Sequence, residues 1–516
     1  MVASKETPAE QARAFLDIAD QFRLGELPTE QSHPWTQHLS QRVQSDLPGA
    51  LEVLQRVDKR ALGVLLAEQR RIADLAGAIS ATLRSGGRIF LAGCGATGRL
   101  ALTLEALCRG GWIAEPSRGS VVGFMAGGDA ALIRSLEGFE DRPDYGRRQL
   151  EELGFSEDDL LVGITEGGET PFVIAATERA AELSRRSPWF CYCNPDDILK
   201  TVAKRSAKML ARADIERLPL LTGPMALSGS TRMQAATVQL AAVGLALRYH
   251  DNPEELPAAT EGLVACTAAL DYTALAPFIQ AEAAAVKAGI PILYQTEKYG
   301  LTVLTDTTER APTFSLHPFE NTRRPEEPAS WVYLAIPSQQ DAASAWVSIL
   351  GRCPRTLEWP EVSGQAGRAH LLGYDISRNA VPHRRAKTGK SSRIFTIEDG
   401  AAGVQMHFEG LSHTIPAPRD ALTRNLVLKL FLNAHSTSMA GLCGRYEGNW
   451  MTWVKPSNCK LIDRAIRYIR HLREARGQPD PGYEAVCMAL FEMRASLPPD
   501  ASIVLETLDL LEMRHA

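Results

Sequence analysis

RIFLAGCGATGRLALTLEALCR, residues 88–109, is the segment from which the fold can be read. Its first six residues form a short apolar run of strand character. GCGATG is a tight glycine turn, and from Gly98 the apolar side chains return at helical spacing. The same alternation recurs outward. SVVGFMAG (120–127) is strand-like and precedes a helix ending near SLEGFED (135–141). DDLLVGIT (158–165) leads to a helical segment at 170–186, and PWFCYCN (188–194) is again strand-like. LPLLTGP (218–224) runs into a helix over 230–250. Strands alternating with helices imply a parallel sheet covered on both faces, a doubly wound α/β unit.

DNPEELPAA (251–259), polar with two prolines, reads as a boundary, and a second cycle follows. The pattern predicts a helix near 268–288, strands at PILYQT (291–296) and SWVYLAIP (330–337), and a helix over 341–351. It predicts a further strand at HLLGYDIS (370–377), a basic loop at RRAKTGKSSR (384–393), and a β segment at 400–411. A long helix covers 419–442, and the chain is mostly helical from about 457. Thr231-Arg232 and Thr423-Arg424 open the closing helix of each cycle, which suggests duplication. The expected plan is a helical arm at 1–64, α/β units at 65–255 and 256–450, and a helical cap at 451–516. Both units are expected to be doubly wound parallel sheets of flavodoxin-like type.

Composition bounds the function. The 516 residues suggest about three domains. With 45% hydrophobic and 23% charged side chains, the bulk of the chain has a globular composition. Fifty-six basic residues against 61 acidic ones, a net charge of −5 and a pI near 6.2, leave no global basic field for nucleic acid. No apolar run approaches the roughly 18 residues of a membrane span, and the first forty residues lack the apolar core of a signal peptide. Nine scattered cysteines show no metal spacing, and Cys191 and Cys193 share a strand face but bridge poorly. A soluble, reduced, cytoplasmic protein without metal or cofactor is expected.

Three strand-to-helix junctions are rich in glycine and hydroxyls: GCGATGRL (93–100), ITEGGETPF (164–172) and LTGPMALSGSTRM (221–233). Such junctions gather at the carboxyl edge of a doubly wound sheet, where backbone amides and helix dipoles favour an anion. The first also fits G-x-G-x-x-G, a weak match shared by dinucleotide sites, other phosphate ligands and plain turns. No acidic residue stands at the dinucleotide position, and three junctions together describe a small phosphorylated ligand better. GKSS (389–392) lacks the upstream glycine of a P-loop and reads as a solvated turn.

RIFLAGCGATGRL, VVGFMAGGDAALIRSLEGFED (121–141) and GPMALSGSTRMQAATVQ (223–239) resemble the sugar isomerase (SIS) domain of N-acetylmuramic acid 6-phosphate etherases and of the glucokinase regulatory protein. With TEQSHP (29–34), the resemblance covers roughly residues 27–250. Farther on, TDTTERAPTF (305–314) resembles the family's acid-bearing D-x-x-E-C-x-x-T-[FY] segment. PSNCKLIDRAI (456–466) resembles its lysine-bearing N-x-K-L segment. Two units and a cap in one chain are more similar to the regulatory protein than to the single-domain etherases.

The resemblance implies a phosphosugar ligand and candidate site residues. Glu140 lies in the E-G-x-E-D motif. The family's second acid aligns in the first unit with Leu107, and Glu105, two residues away, is about 200° around the helix. Glu309 of the second unit fills that role instead, while the second unit's own loop, YQTEKYG (294–300), has lost its glycine character. One composite site is implied, with Gly95, Thr97, Gly98, Thr165, Gly167, Gly168, Thr170, Ser228, Ser230 and Thr231 as binding residues and Lys460 brought in from the cap. Glu166 and Glu169 depart from a phosphate cradle. Two carboxylates within about 6 Å of a phosphate cost on the order of several kcal/mol unless turned away or paired.

Three activities fit these residues. A non-catalytic sensor would bind the sugar phosphate and signal through its cap to a protein partner such as a sugar kinase. An etherase-like lyase would use Glu140 and Glu309 as acid and base. An isomerase would draw on His317 or His435.

Overall fold

Five parallel strands build the first unit: β1 (Ile89–Gly93), β2 (Val121–Met125), β3 (Leu160–Ile164), β4 (Trp189–Tyr192) and β5 (Glu216–Pro219). This computed structural model describes residues 6–114, 117–134, 136, 138–498 and 500–515. The strand order β2-β1-β3-β4-β5 reverses direction at β1, so a crevice opens at the carboxyl ends of β1 and β3. β1, β2 and β3 are wholly buried apolar runs, as a sheet covered on both faces requires. The helix expected after β2 is a 3₁₀ turn, Gly128–Leu132, followed by a loop, and its expected end at 135–141 lies partly outside the described residues.

The second sheet has the order β10-β9-β8-β6-β7, with β6 (Ile292–Gln295), β7 (Val332–Ala335), β8 (Arg393–Asp399), β9 (Gly403–Phe408) and β10 (Leu411–Pro416). Its β7-β6-β8 centre is parallel and repeats the β2-β1-β3 centre of the first unit. Beyond β8 the sheet turns antiparallel, so this unit is mixed rather than parallel throughout. The β9–β10 hairpin turns at Glu409 and Gly410, both at positive φ (50° and 80°), as a two-residue primed turn demands.

Two expectations at this end fail for identifiable reasons. Residues 370–377 form no strand beyond an isolated bridge from Ile336 to Ser377. Their backbone is engaged elsewhere: Gly373 O accepts from Thr322 N at 2.8 Å, and Tyr374 O from the Trp346 indole at 3.0 Å. The basic stretch 384–388 is the end of a helix, Ala380–Thr388, because Arg384 is buried against Glu320 at 2.6 Å. GKSS remains a turn, with Lys390 Nζ donating to Gly289 O at 2.9 Å.

The units meet across the closing helices Gln234–Arg248 and Ala421–Leu442, both buried along nearly their whole length. The helix Leu47–Leu62 of the N-terminal arm packs against both. Behind this seam lies a buried ionic layer. Arg310 donates to Asp306 (2.8 Å), Glu282 (2.9 Å) and Tyr294 (3.0 Å), and Asp306 also pairs with Arg232 at 2.7 Å. Removing one member of such a layer leaves uncompensated charge in a dry interior. Arg310→Met is therefore expected to lose about 3–5 kcal/mol of stability in urea denaturation. A loss below about 1 kcal/mol would show that removing Arg310 leaves no uncompensated buried charge.

Candidate functional site

One cavity of about 150 Å³ lies at the crevice, and its walls come from both units and the cap. From the first unit, the turn after β1 contributes Cys94, Gly95 and Ala96. Gly95 sits at φ +53°, a backbone shape that suits glycine. Thr97 does not reach the cavity; its hydroxyl accepts from Cys94 N and donates to Cys94 O, both at 2.9 Å, and so locks the turn. Gly98 is a packing residue, since a Cβ there would lie 2.4 Å from that of Met125.

Glu140 lines the same wall. Its carbonyl accepts from Phe172 N at 3.1 Å, tying it to the start of the helix Pro171–Leu183. Burial pushes its carboxyl up to about 7, against the pull of Lys460 and with the help of Glu169 and Asp141. The loop after β3 divides its side chains. Thr165 and Thr170 share a hydroxyl contact of 2.8 Å, Gly168 N donates to Thr165 at 3.3 Å, and Asn194 donates to Gly167 O at 3.0 Å. Thr165, Gly167 and Gly168 thus serve the loop itself, and only Glu166 and Thr170 face the cavity.

The two glutamates of this loop behave differently. Glu169 turns away and is buried between Arg205 (2.6 Å) and Lys460 (2.9 Å). Burial alone would raise its carboxyl, but these two cations hold it at about 2. Glu166 stays on the cavity wall and is pushed up to about 7 by burial, with Glu309 and Glu140 adding to the rise.

The loop before Gln234 contributes Gly229, Ser230, Thr231 and Arg232. Ser230 is 4% exposed, and its hydroxyl has no partner among the described residues. Ser228 lies outside the cavity: its hydroxyl donates to Glu30 O at 2.9 Å, and its carbonyl accepts from Tyr468 at 2.7 Å. The second unit supplies Glu309, Pro312 and Thr313. Glu309 pairs with Arg99, which is 1% exposed and also donates to Leu132 O (3.0 Å) and Ala131 O (3.1 Å).

The cap supplies the start of the helix Cys459–Ala475, capped by Asn458, with Lys460 and Arg464 in the cavity wall. Lys460, Arg464 and Arg467 recur on one helical face, and Glu30 of the arm takes both arginines, at 2.6 and 3.0 Å. Burial would lower the Lys460 ammonium, but Glu169, Glu30 and Glu140 together hold it above its ordinary value.

Residues 71–181 match the family description "Glucokinase regulatory protein N-terminal SIS domain". The N-acetylmuramic acid 6-phosphate etherase of Synechococcus sp. (strain CC9605) is 38% identical over 221 residues, 43% of this chain and 65% of that protein. The enzyme of the same name from Prochlorococcus marinus (strain MIT 9313) is 35% identical over 232 residues, 45% of this chain and 68% of that protein. The chain belongs to the SIS family of the N-acetylmuramic acid 6-phosphate etherases and the glucokinase regulatory protein. Among solved structures, the tagatose-6-phosphate ketose/aldose isomerase of Escherichia coli superposes with a TM-score of 0.43 at 13% identity, over 79% of this chain and 94% of that one. The chain spans about two thirds, 65%, of the length of the first etherases it matches, and those matches cover under half of its own residues.

In the second unit the side chains of the loop after β6 are taken up by neighbouring groups. Glu297 accepts from Ser338 N at 2.9 Å, while Lys298 and Tyr299 both reach Asp399 at 2.6 Å. Neither histidine reaches the cavity. His435 is 1% exposed beside Glu282, and His317 is exposed to solvent outside the chamber walls, so neither is placed for ring opening. Glu105 faces elsewhere, as its helical angle requires, and pairs with Arg109, Arg352 and Arg355 at 2.8–3.0 Å. Sequence reading missed Arg99, Arg232, Asn458 and Arg464. Of these, Asn458 opens the N-x-K-L segment that carries Lys460, and Arg464 follows Lys460 at i, i+4 spacing.

Lys460→Met tests the pairing of the cap with the loop after β3. The Glu169 carboxylate, held at about 2, contributes stability that is fully present above its ordinary value of 4.5 and is lost as pH falls toward 2. The variant is expected to lose about 2 kcal/mol at pH 7, with the deficit shrinking between pH 4.5 and 2. A deficit independent of pH in that window contradicts the pairing.

Proposed function

We propose that this chain binds one phosphorylated sugar in the cavity between its two SIS units and acts as a sensor of that ligand. The observation carrying this reading is the hydroxyl loop Ser230–Thr231, with its unpartnered, buried Ser230 hydroxyl, facing Lys460, Glu140 and Glu309 across one chamber. In this reading the phosphate lies against Ser230, Thr231, Thr170 and the amides at Gly95, with the Lys460 and Arg464 side chains opposite. Glu140 and Glu309 accept hydroxyls of the sugar. Glu309 already engages Arg99 with one oxygen, an arrangement that orients a carboxylate for recognition. A protein partner such as a sugar kinase would then read the cap, which shares Lys460 and Arg464 with the ligand. The chain would act in the cytoplasm.

A second reading, an etherase-like lyase, is favoured by Glu140. A carboxyl with a value of about 7 can exchange a proton at neutral pH, as elimination beside the carbonyl of an open-chain sugar requires. Lactate release from N-acetylmuramic acid 6-phosphate, with Glu140→Ala as control, separates the two. The sensor predicts no release although the sugar phosphate raises the melting temperature. Turnover that disappears in Glu140→Ala establishes the lyase.

Binding should depend on pH in a defined direction. Glu140 and Glu166, both raised to about 7, lose protons as pH rises through that value and add negative charge around the phosphate. Affinity is expected to be about tenfold weaker at pH 8.5 than at pH 6.5 by titration calorimetry, with proton uptake on binding. A flat profile contradicts the placement of the phosphate in this chamber.

A further inference from the structure

The chamber does not end at Glu140. It opens past Asn458 and Ser457 into a neck lined mainly by apolar groups, among them Met125, Ala126, Ala131, Ile133, Leu136 and Leu316. Arg134, Leu136, Lys455 and Ser457 carry the wall onward from the neck into an outer vestibule of about 590 Å³. All three parts of the chain build that vestibule: Arg134 from the first unit, Arg324 and His370 from the second, Lys455 and Arg494 from the cap.

Its charge runs against that of the molecule. The chain carries a net −5, yet among the described residues four cationic side chains and no carboxylate line the vestibule. Glu327 behind the wall is shared by Arg134 at 3.6 Å and Arg324 at 3.5 Å, so it offsets one charge of two. Lys455 and Arg494 are exposed and make no ion pair among the described residues. His370 adds no charge at neutral pH, because burial and the neighbouring Arg324 lower it. On the same wall Ser315 is held at φ +52°, a left-handed backbone that non-glycine residues adopt at a cost and that clusters at functional sites.

We propose that the vestibule is a second anion subsite and that the ligand is a phosphosugar bearing a second phosphate beyond the neck, held by Arg134, Arg324, Lys455 and Arg494. The inference rests on the phosphosugar reading of the inner chamber. An inner chamber of about 150 Å³ falls below the usual size of small-molecule sites, whereas chamber, neck and vestibule together fit a longer ligand with anions at both ends. The second anion touches the cap, so the two-ended ligand engages all three parts of the chain at once.

Titration calorimetry on the full chain at 150 mM salt tests this, using glucose 6-phosphate, glucose 1,6-bisphosphate and inorganic pyrophosphate. The proteins compared are the unaltered chain and a Lys455→Ala/Arg494→Ala double variant, whose two sites are exposed and outside the inner chamber. The bisphosphate is expected to bind at least about tenfold more tightly than the monophosphate. The double variant should erase that advantage and leave monophosphate affinity unchanged. Equal affinities in the unaltered chain, or an advantage that survives in the variant, overturn the vestibule and leave the inner chamber standing. If neither sugar binds, pyrophosphate binding lost in the double variant supports the vestibule and rejects the inner reading. No binding of any probe rejects both.

Discussion

A buried arginine of the first unit, Arg99, holds a glutamate of the second, Glu309, and the site exists because of that joint. It is one of several charged contacts that take one partner from each unit. Arg232 meets Asp306, Asp129 meets Arg352 at 2.6 Å, and Lys429 of the second closing helix donates to Arg232 O at 2.6 Å. Buried ions are costly unless paired, so a sliding or rotated arrangement of the two units would strand several charges at once. The joint therefore fixes orientation more than it adds stability. Orientation is what brings Glu309 to a chamber whose other walls belong to the first unit and the cap.

The same constraint places the chamber at the crevice of the first unit. Where the first unit has a glycine turn open to a ligand, the second fills its corresponding turn with Glu297, Lys298 and Tyr299, each tied to a neighbouring side chain or backbone group. Position 107 of the first unit is a leucine, and Glu309 of the second unit lines the chamber. The cap closes the arrangement, because Lys460 neutralises Glu169 in the loop after β3 and stands beside Glu140.

Most strands were legible because each is a short apolar run bounded by turn residues, and burial on both faces makes that signal strong. Residues 370–377 carried the same signal, yet their backbone partners lie in the 321–322 loop and the Trp346 indole, contacts that local pattern does not encode. The basic run at 384–388 looked like a loop because a buried Arg384 paired with Glu320 is indistinguishable in sequence from a solvated one. At the site, Glu140, Glu309, Thr170, Ser230, Thr231, Gly95 and Lys460 were placed together by resemblance, and all line the chamber. Thr97, Gly98, Thr165, Gly167, Gly168 and Ser228 were not separable from them, since a hydroxyl that locks a turn and one that meets a ligand read alike. The fate of Glu169 turned on Arg205 and Lys460, the latter 291 positions away.

The most direct test is the stoichiometry of N-acetylmuramic acid 6-phosphate binding by titration calorimetry, on the unaltered chain and on Glu309→Gln. A composite chamber predicts one equivalent per chain, with affinity falling about tenfold or more when the second unit's glutamate is neutralised. Two equivalents per chain, or one equivalent with affinity indifferent to Glu309, would contradict a site shared between the units.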